Sequence, residues 1–132
     1  NMDEFLEAVN PYIEAGNDVL CITLGSGLST TYQSAVIAAT ELADKYPERK
    51  IRVVDTLCAS LGQGLLVWYA CKKRDEGLSL DEVYTWVEEH KLNLCHWFTV
   101  DDLKYLKRGG RIGAATAGVT NRGSMRNASL ET

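Results

Sequence analysis

The sequence predicts a three-layer α/β domain in which a mostly parallel sheet carries helices on both faces. Three short apolar runs, residues 19–24, 51–55 and 94–100, have the length and the β-branched or aromatic content of strands. Segments with apolar residues at helical spacing separate these runs, and strands that alternate with helices favour parallel pairing through right-handed crossovers. The 132 residues suffice for one domain with a buried core.

Composition and charge narrow the classes of function. Hydrophobic residues make up 45% of the chain and charged residues 24%, as in ordinary globular domains. The formal net charge of −4 argues against nucleic acid or an anionic membrane as the main partner, because both bind basic surfaces. No apolar run reaches the roughly 20 residues of a membrane-spanning helix, and no signal peptide pattern is present. We therefore predict a cytoplasmic location.

Two helices are predicted in the first third of the chain. Asn1 and Glu4 have the spacing of a capping box, and Gly16 favours the left-handed conformation that ends a helix. The apolar positions of this first helix are Phe5, Ala8, Val9 and Tyr12. The second helix follows the first strand, and Pro47 ends it. Its apolar stripe consists of Tyr32, Ala35, Val36, Ala39, Ala43 and Tyr46.

Three further helices are predicted after the second strand. The first runs from residue 58 or 59 to residue 76, with Leu61, Leu65, Trp68 and Cys71 facing inward. The next begins at a capping box formed by Ser79 and Glu82. Its stripe consists of Leu80, Val83, Trp86, Val87 and His90. A short helix over residues 103–107 follows residues 101–102 as its cap, and Gly109 supplies a left-handed stop before Gly110.

The cysteines and histidines do not form a metal-binding pattern. Cys21, Cys58, Cys71 and Cys95 lack a C-x-x-C pair, so we expect them to be free and to pack as small core residues. His90 is expected at the edge of the core or in solvent, and the spacing of His90 and His96 gives little support for metal ligation. No cofactor and no metal are predicted.

The candidate site is the stretch where the first strand ends and a helix begins. Gly25 and Gly27 relax the backbone there, and Ser29 or Thr30 can cap the following helix. The free N–H groups of a first helical turn and the helix dipole attract anions. Asp55 follows at the end of the next parallel strand, hence at the same edge of the sheet. A hydroxyl cluster that only caps the helix is the alternative interpretation.

Three segments, in this order, resemble the DegV family of bacterial fatty-acid-binding proteins. They are GSGLSTTYQSA at residues 25–35, VDT at 54–56 and FTVDDLKYLKRGGRI at 98–112. The resemblance covers residues 1–117, and its third segment is the most specific. Thr30 is a departure, because the family usually has glycine there, and it adds a side chain at the mouth of the site.

The resemblance implies a carrier and not an enzyme. A long-chain fatty acid would lie between this domain and a second domain, and a separate fatty acid kinase would phosphorylate the presented acid for phospholipid synthesis. By position, Ser29 is the first choice as a carboxylate ligand, with Ser26 and Thr31 beside it. The residues expected to line the acyl pocket are Tyr32, Ala35, Val36, Leu61 and Leu65.

The resemblance also implies a truncated or internally shortened chain. Residues 1–117 correspond to an incomplete N-terminal α/β domain, and residues 118–132 to an irregular tail or a remnant of the C-terminal domain. Family members usually carry a Thr-Ser-Gln-Pro element just before the segment that matches residues 1–5. That element supplies a further hydroxyl to the carboxylate, so we expect the stretch at residues 25–35 to form half of a site.

Two interpretations remain open for the basic segment, and two alternatives to the carrier remain open for the function. Lys107, Arg108 and Arg111 either complement the dipole of a helix C-terminus or, for the arginines, contact a kinase partner or the nascent phosphate. A small phosphatase or phosphotransferase could use the same anion site with Asp55 as acid or base. It lacks a nucleophile–base pair, because His96 is predicted at the wrong end of its strand. A non-catalytic interaction domain is the third hypothesis.

Overall fold

The computed structural model describes residues 1–97 and 102–112, and the chain divides into the units Asn1–His96 and Trp97–Thr132. The first unit consists of α1 (Met2–Glu14), β1 (Val19–Thr23), α2 (Thr31–Lys45), β2 (Ile51–Asp55), α3 (Ser60–Asp75), α4 (Leu80–His90) and a 3-10 turn at Lys91–Asn93. Among the described residues of the second unit, Leu103–Arg108 form α5. The predicted domain boundary at residue 117 and the tail 118–132 lie outside the described residues, and that division stays a prediction.

The sheet is parallel, as predicted. β1 and β2 pair in register from Val19 opposite Ile51 to Thr23 opposite Asp55, with α2 as the crossover. The third predicted strand is wrong for residues 94–97, which form no regular element, and residues 98–100 lie outside the described part. Leu94 is extended (φ −83°, ψ 102°), but extended backbone becomes a strand only when a neighbour completes its ladder.

Helices cover both faces of the sheet. Ile51 packs with Ile13 of α1 and Leu42 of α2, whereas Val54 packs with residues of α3 and α4. Side chains three apart on a strand point to opposite faces, so these two clusters lie on opposite sides of β2. The second cluster consists of Val54, Leu66, Ala70, Val83 and Val87. The predicted α/β layering is therefore confirmed.

The inward face predicted for α3 is wrong. Leu61 is 87% exposed, Leu65 43% and Trp68 55%, and Cys71 is exposed as well. The buried residues of the helix are Gly62, Leu66 and Ala70. The inward stripe places the small residues Gly62 and Ala70 on either side of Leu66, and the small residues allow close approach to the structure beneath the helix.

Smaller corrections concern α1, α2 and the cysteines. Ile13 is the buried residue of α1, and Tyr12 is 62% exposed. On α2 the buried residues are Ala35, Ala38 and Leu42. The prediction that Ala35 belongs to the inward stripe is therefore confirmed, whereas Val36 and Ala43 are exposed. All four cysteines are free. Cys58 is buried and Cys21 half-buried, but Cys71 and Cys95 are exposed and therefore are not core residues.

The helix termini follow the sequence signals closely. Both capping boxes form, at Asn1 with Glu4 and at Ser79 with Glu82. The carboxylate of Asp102 accepts the Lys104 N–H at 2.8 Å and caps α5. After α5 the left-handed residue is Gly110 (φ +73°) and not Gly109 (φ −74°), so the stop falls one residue later than predicted.

Candidate functional site

The loop between β1 and α2 is a tight turn held against the next loop along the sheet edge. The Gly25 N–H donates to the Cys58 carbonyl at 2.9 Å, and the Leu28 and Ser29 N–H groups both donate to the Gly25 carbonyl. A Cβ at Gly25 would lie 3.0 Å from the carbonyl carbon of Leu57. Glycine is therefore required where the two loops meet.

Two hydroxyls pair at the start of α2. The oxygens of Ser29 and Thr31 are 2.7 Å apart, and the Thr31 N–H donates to Ser29 Oγ at 3.2 Å. Thr30 occupies the N-cap position but makes no side-chain cap bond. Ser29 thus satisfies a first-turn N–H, as the capping interpretation expects. Because each hydroxyl has one hydrogen and only one joins the pair, the other hydrogen remains available to a third group.

A cleft of about 500 Å³ lies beside the first turn of α2. Its lining consists of Asn1, Glu4, Phe5, Ala8, Thr30, Thr31 and Ser34. Thr31 therefore reaches a cavity together with two other hydroxyl residues. Sequence analysis missed Ser34 as a site residue, although it follows Thr30 by one helical turn. The Glu4 carboxylate is the unfavourable group for an anion in this cleft.

Asp55 joins the two loops through its carboxylate. One oxygen accepts the Ser26 N–H at 3.0 Å and the Leu57 N–H at 3.1 Å. Burial favours the neutral acid, but hydrogen bonds from the Ser26 hydroxyl and these N–H groups, with the charge of Lys91, hold the pKa of Asp55 below its usual value. Asp55 is therefore ionised at neutral pH.

The Thr56 hydroxyl of the loop between β2 and α3 is hydrogen-bonded to backbone groups of the same sheet edge. The buried Thr56 hydroxyl donates to the Thr23 carbonyl at 2.8 Å and accepts the Cys58 N–H at 3.1 Å. Leu57 (φ +53°) and Ser60 (φ +49°) are held in the left-handed region. Such non-glycine residues persist only where surrounding contacts fix them. Thr56 is thus a structural residue of this edge and offers nothing to a ligand.

Cys58 and His96 form a contact that the sequence did not predict. Cys58 Sγ lies 3.4 Å from His96 Nδ1. A Cβ at Gly62 would be 2.8 Å from the imidazole, so this glycine makes room for the ring. The sequence placed His96 at the wrong end of a third strand, but residues 94–97 form no strand and the ring contacts Cys58 in the loop after β2. Burial, and then the charge of Asp55, raise the pKa of the Cys58 thiol, which keeps it neutral and a poor nucleophile.

The predicted pocket-lining residues are not brought together. Tyr32, Ala35 and Val36 lie on α2, whereas Leu61 and Leu65 lie on α3 across the sheet. Ala35 is only 2% exposed. A second cavity, of about 560 Å³, is lined by none of these five predicted residues. Its lining consists of Asp18, Leu20, Ile22, Val67, Ala70, Cys71, Arg74, Leu78, Leu80 and Val83.

The two arginines of the basic segment differ in their contacts. Arg108 is exposed in the last turn of α5. Arg111 closes the helix end, since its N–H donates to the Leu106 carbonyl and its guanidinium to the Gly109 carbonyl. The helix-terminus interpretation therefore describes Arg111, whereas both arginines are exposed.

Two negative findings hold for residues 1–97 and 102–112. No group of three His, Cys, Asp or Glu side chains in this part is arranged to hold a metal ion. None of its helices is both long and apolar enough to span a membrane.

The fold and the site define an α/β domain with a hydroxyl-bearing strand-to-helix loop at the carboxyl edge of a parallel sheet. The family model described as "Uncharacterised protein, DegV family" matches residues 1–124. The chain belongs to the DegV family, as its resemblance implied.

Relatives and solved structures agree with this assignment. A DegV domain-containing protein of Clostridium perfringens is 50% identical over 119 residues, which are 90% of this chain and 41% of that protein. The structure of a DegV family protein from Thermus thermophilus, described as fatty-acid binding, is 39% identical with a TM-score of 0.73, over 89% of this chain and 40% of that one.

A stearic-acid-binding protein from Eubacterium ventriosum has a TM-score of 0.76 at 26% identity, over 92% of this chain and 42% of that one. The present chain thus spans about two fifths of the length of each of these proteins.

Proposed function

We propose that this chain is part of a fatty-acid-binding carrier in which Ser29 and Thr31 bind the carboxylate of the acid. The observation that carries the proposal is the hydroxyl pair at the first turn of α2, with Thr31 on a cleft. The similar proteins from Thermus thermophilus and Eubacterium ventriosum, which are described as binding fatty acids, support it.

The chemistry of the pair suits a carboxylate. The hydrogen that the Ser29–Thr31 pair does not use internally can donate to a carboxylate oxygen, in a charge-assisted bond about twice as strong as a neutral one. The N-terminus of α2 adds about 0.3–1 kcal/mol of favourable dipole interaction. Thr30 and Ser34 line the same cleft and supply two more hydroxyls.

Ser26 ranks below Ser29 and Thr31 in this proposal. Its N–H donates to Asp55 at 3.0 Å, so Ser26 lies beside an ionised carboxylate that would repel a second one. A ligand carboxylate is therefore better accommodated on the Thr31 side of the loop, away from Asp55.

For the acyl chain, the proposal retains two of the five residues expected from the sequence. Tyr32 and Val36 lie on α2 close to the hydroxyl pair and are partly accessible. Ala35 is buried against other residues, and Leu61 and Leu65 belong to a helix on the other face of the sheet. Apolar cover for most of a long chain must then come from residues beyond this cleft.

The carrier role with a separate fatty acid kinase is part of the same proposal. The absence of an activated nucleophile among the described residues supports a binding function over a phosphatase, since the Cys58 thiol is neutral and Asp55 is held as an acceptor. Arg108 is the better candidate for a kinase contact than Arg111, whose guanidinium donates to the Gly109 carbonyl. The cytoplasmic location stays a prediction from the sequence.

Calorimetric titration of the delipidated intact protein, of which this chain is a part, with oleate tests the proposal. Ser29→Ala and Thr31→Val should each weaken binding about tenfold or more, because a hydrogen bond to a charged group contributes about 1.5–3 kcal/mol. Thr40→Val is the matched control, since the Thr40 hydroxyl donates to the Val36 carbonyl farther along α2. No heat of binding with any long-chain acid, or equal affinities for all four proteins, would contradict the proposal.

A further inference from the structure

A single peptide unit connects Asp55 to the proposed carboxylate site. The Gly25 carbonyl and the Ser26 N–H belong to this unit, and in a planar trans peptide these two groups point in opposite directions. The Ser26 N–H donates to Asp55 Oδ1 at 3.0 Å. The Gly25 carbonyl accepts the Leu28 N–H at 2.9 Å and the Ser29 N–H at 3.3 Å. The orientation of this peptide therefore depends on Asp55 and fixes the backbone of Ser29.

The backbone of Ser29 in turn places the hydroxyl pair. Ser29 Oγ lies 2.7 Å from Thr31 Oγ1 and accepts the Thr31 N–H at 3.2 Å. Only χ1 separates this oxygen from the main chain, so its position follows from that of the Ser29 backbone. A rotation of the Gly25–Ser26 peptide would release the Ser29 N–H and displace the hydroxyl pair from its place at the first turn of α2.

The carboxylate of Asp55 is itself fixed by the β2–α3 loop. The oxygen that accepts the Ser26 N–H also accepts the Leu57 N–H at 3.1 Å. Leu57 has φ +53°, a conformation that a bulky residue keeps only where surrounding contacts hold it, and such residues cluster at functional sites. The Gly25 N–H donates to the Cys58 carbonyl at 2.9 Å. The two loops are therefore joined on both sides of the Gly25 α-carbon.

We propose that Asp55 is a positioning residue for fatty-acid binding, which holds the Gly25–Ser26 peptide so that Ser29 presents its hydroxyl to the carboxylate. This inference rests on the proposed function of the Ser29–Thr31 pair. Asp55 does not contact the ligand, because its negative charge repels a carboxylate. The same charge strengthens its bond to the peptide, since a hydrogen bond to an ionised acceptor is about twice as strong as a neutral one. Asp55 thus contributes geometry and not attraction.

Two substitutions separate the position of the Asp55 carboxylate from its charge. Asp55→Asn keeps an oxygen that can accept both N–H groups but removes the charge, whereas Asp55→Glu keeps the charge and moves the oxygen by one methylene group. Asp55→Ala removes both. Asparagine should therefore preserve the orientation of the Gly25–Ser26 peptide, and glutamate and alanine should not.

Hydrogen exchange in the ligand-free intact protein measures this orientation. The Leu28 and Ser29 amides should exchange about tenfold faster or more in Asp55→Ala, and within about threefold of the wild-type rate in Asp55→Asn. Asp55→Glu should resemble Asp55→Ala. The Val83 amide, which donates to the Ser79 carbonyl in α4, is the control, and a smaller change there distinguishes release of the loop from general unfolding.

Oleate titration of the same variants measures the consequence for binding. Asp55→Ala should weaken binding about fivefold or more, and Asp55→Asn should restore most of that loss. Asp44→Ala removes an exposed carboxylate of α2 and should leave the affinity unchanged. In a Ser29→Ala background, Asp55→Ala should weaken binding by less than about twofold further, since the hydroxyl that it positions is gone.

The positioning role of Asp55 would be overturned by unchanged exchange at Leu28 and Ser29 in Asp55→Ala. Tighter oleate binding by both Asp55→Ala and Asp55→Asn would also overturn it, because charge repulsion alone predicts that result. A full further loss of affinity in the Ser29→Ala background would do the same.

The glutamate and asparagine variants decide the matter if Asp55→Ala does not fold. Slow exchange in Asp55→Glu together with fast exchange in Asp55→Asn would overturn the positioning role, since charge and not position would then hold the loop. Failure of the proposed function gives a different result. Faster exchange in Asp55→Ala, combined with oleate binding that Ser29→Ala leaves unchanged, would contradict the carboxylate site while the link between Asp55 and Ser29 stands.

Discussion

Two loops leave the same edge of the sheet and use their hydroxyl groups differently. In the β2–α3 loop the Thr56 hydroxyl is used within the protein, since it donates to the Thr23 carbonyl at the end of β1 and accepts the Cys58 N–H. The β1–α2 loop keeps one hydroxyl hydrogen of the Ser29–Thr31 pair free beside a cleft. Two loops at equivalent positions after parallel strands therefore differ in role: one is structural and the other is a candidate binding loop. The difference is whether the hydroxyl hydrogens of the loop are already used in hydrogen bonds within the protein.

The largest effect on stability is expected for Thr56→Val. The substitution leaves the Thr23 carbonyl and the Cys58 N–H buried without their partner, at a cost of about 3 kcal/mol in the free energy of unfolding. Urea denaturation measures this value. Thr40→Val should change it by less than about 0.5 kcal/mol. Similar values for the two variants would mean that the β2–α3 loop does not anchor this edge.

Gly25→Ala probes the contact between the two loops. The new methyl group would lie 3.0 Å from the backbone of Leu57, and overpacking of this kind costs about 1–3 kcal/mol. Gly64→Ala is the matched glycine control, because a Cβ there would meet no atom within 4 Å, and it should stabilise the chain by up to about 1 kcal/mol. If the denaturation curves of Gly25→Ala and Gly64→Ala shifted in the same direction, the two loops would tolerate separation at Gly25.

Asp55→Asn tests whether the carboxylate that joins the loops is ionised. The pKa of Asp55 is lowered by folding, so its stabilising contribution is present above the unfolded value near 3.9 and is lost as pH falls through the lower folded value. The stability difference between the wild-type chain and Asp55→Asn should therefore shrink in acid below about pH 4.

Denaturation at several pH values measures this difference for Asp55→Asn. Asp44→Asn, on the exposed side of α2, is the control for the general effect of removing one charge. A difference for Asp55→Asn that grows as the pH falls would be opposite in sign to the expectation.

Ser26→Ala should have the smallest effect on ligand binding. Ser26 lies beside the ionised Asp55, which repels a ligand carboxylate, so we expect oleate affinity to fall less than about threefold, against about tenfold or more for Ser29→Ala. Competition with a fluorescent fatty acid distinguishes these changes. If Ser26→Ala reduced binding more than Ser29→Ala, the carboxylate site would lie on the Asp55 side of the loop.

Local patterns in the sequence predicted much of this architecture correctly. The capping boxes at Asn1 and Ser79 depend on residues three apart, and the two observed strands depend on short apolar runs, so neighbouring residues carry the information. The strand-to-helix hydroxyl loop was located for the same reason.

Contacts between distant residues account for what the sequence could not provide. Either stripe of α3 could have faced inward, and His96, far along the chain, is the ring that Gly62 accommodates. Likewise, no periodicity indicates that Asp55, at the end of the neighbouring strand, accepts the Ser26 N–H. The faces of helices and the availability of donors are therefore properties of the folded chain.

The carboxyl carbon of bound oleate gives the most direct test of the central claim. With the intact protein and oleate labelled at that carbon, the ¹³C signal of the complex should be displaced from that of free oleate, because the hydrogen that the Ser29–Thr31 pair does not use internally is donated to the carboxylate. Ser29→Ala should move the bound signal toward the free value, and Thr40→Val should leave it in place. A bound signal that is identical in the wild-type chain and Ser29→Ala would contradict the assignment of the carboxylate to this loop.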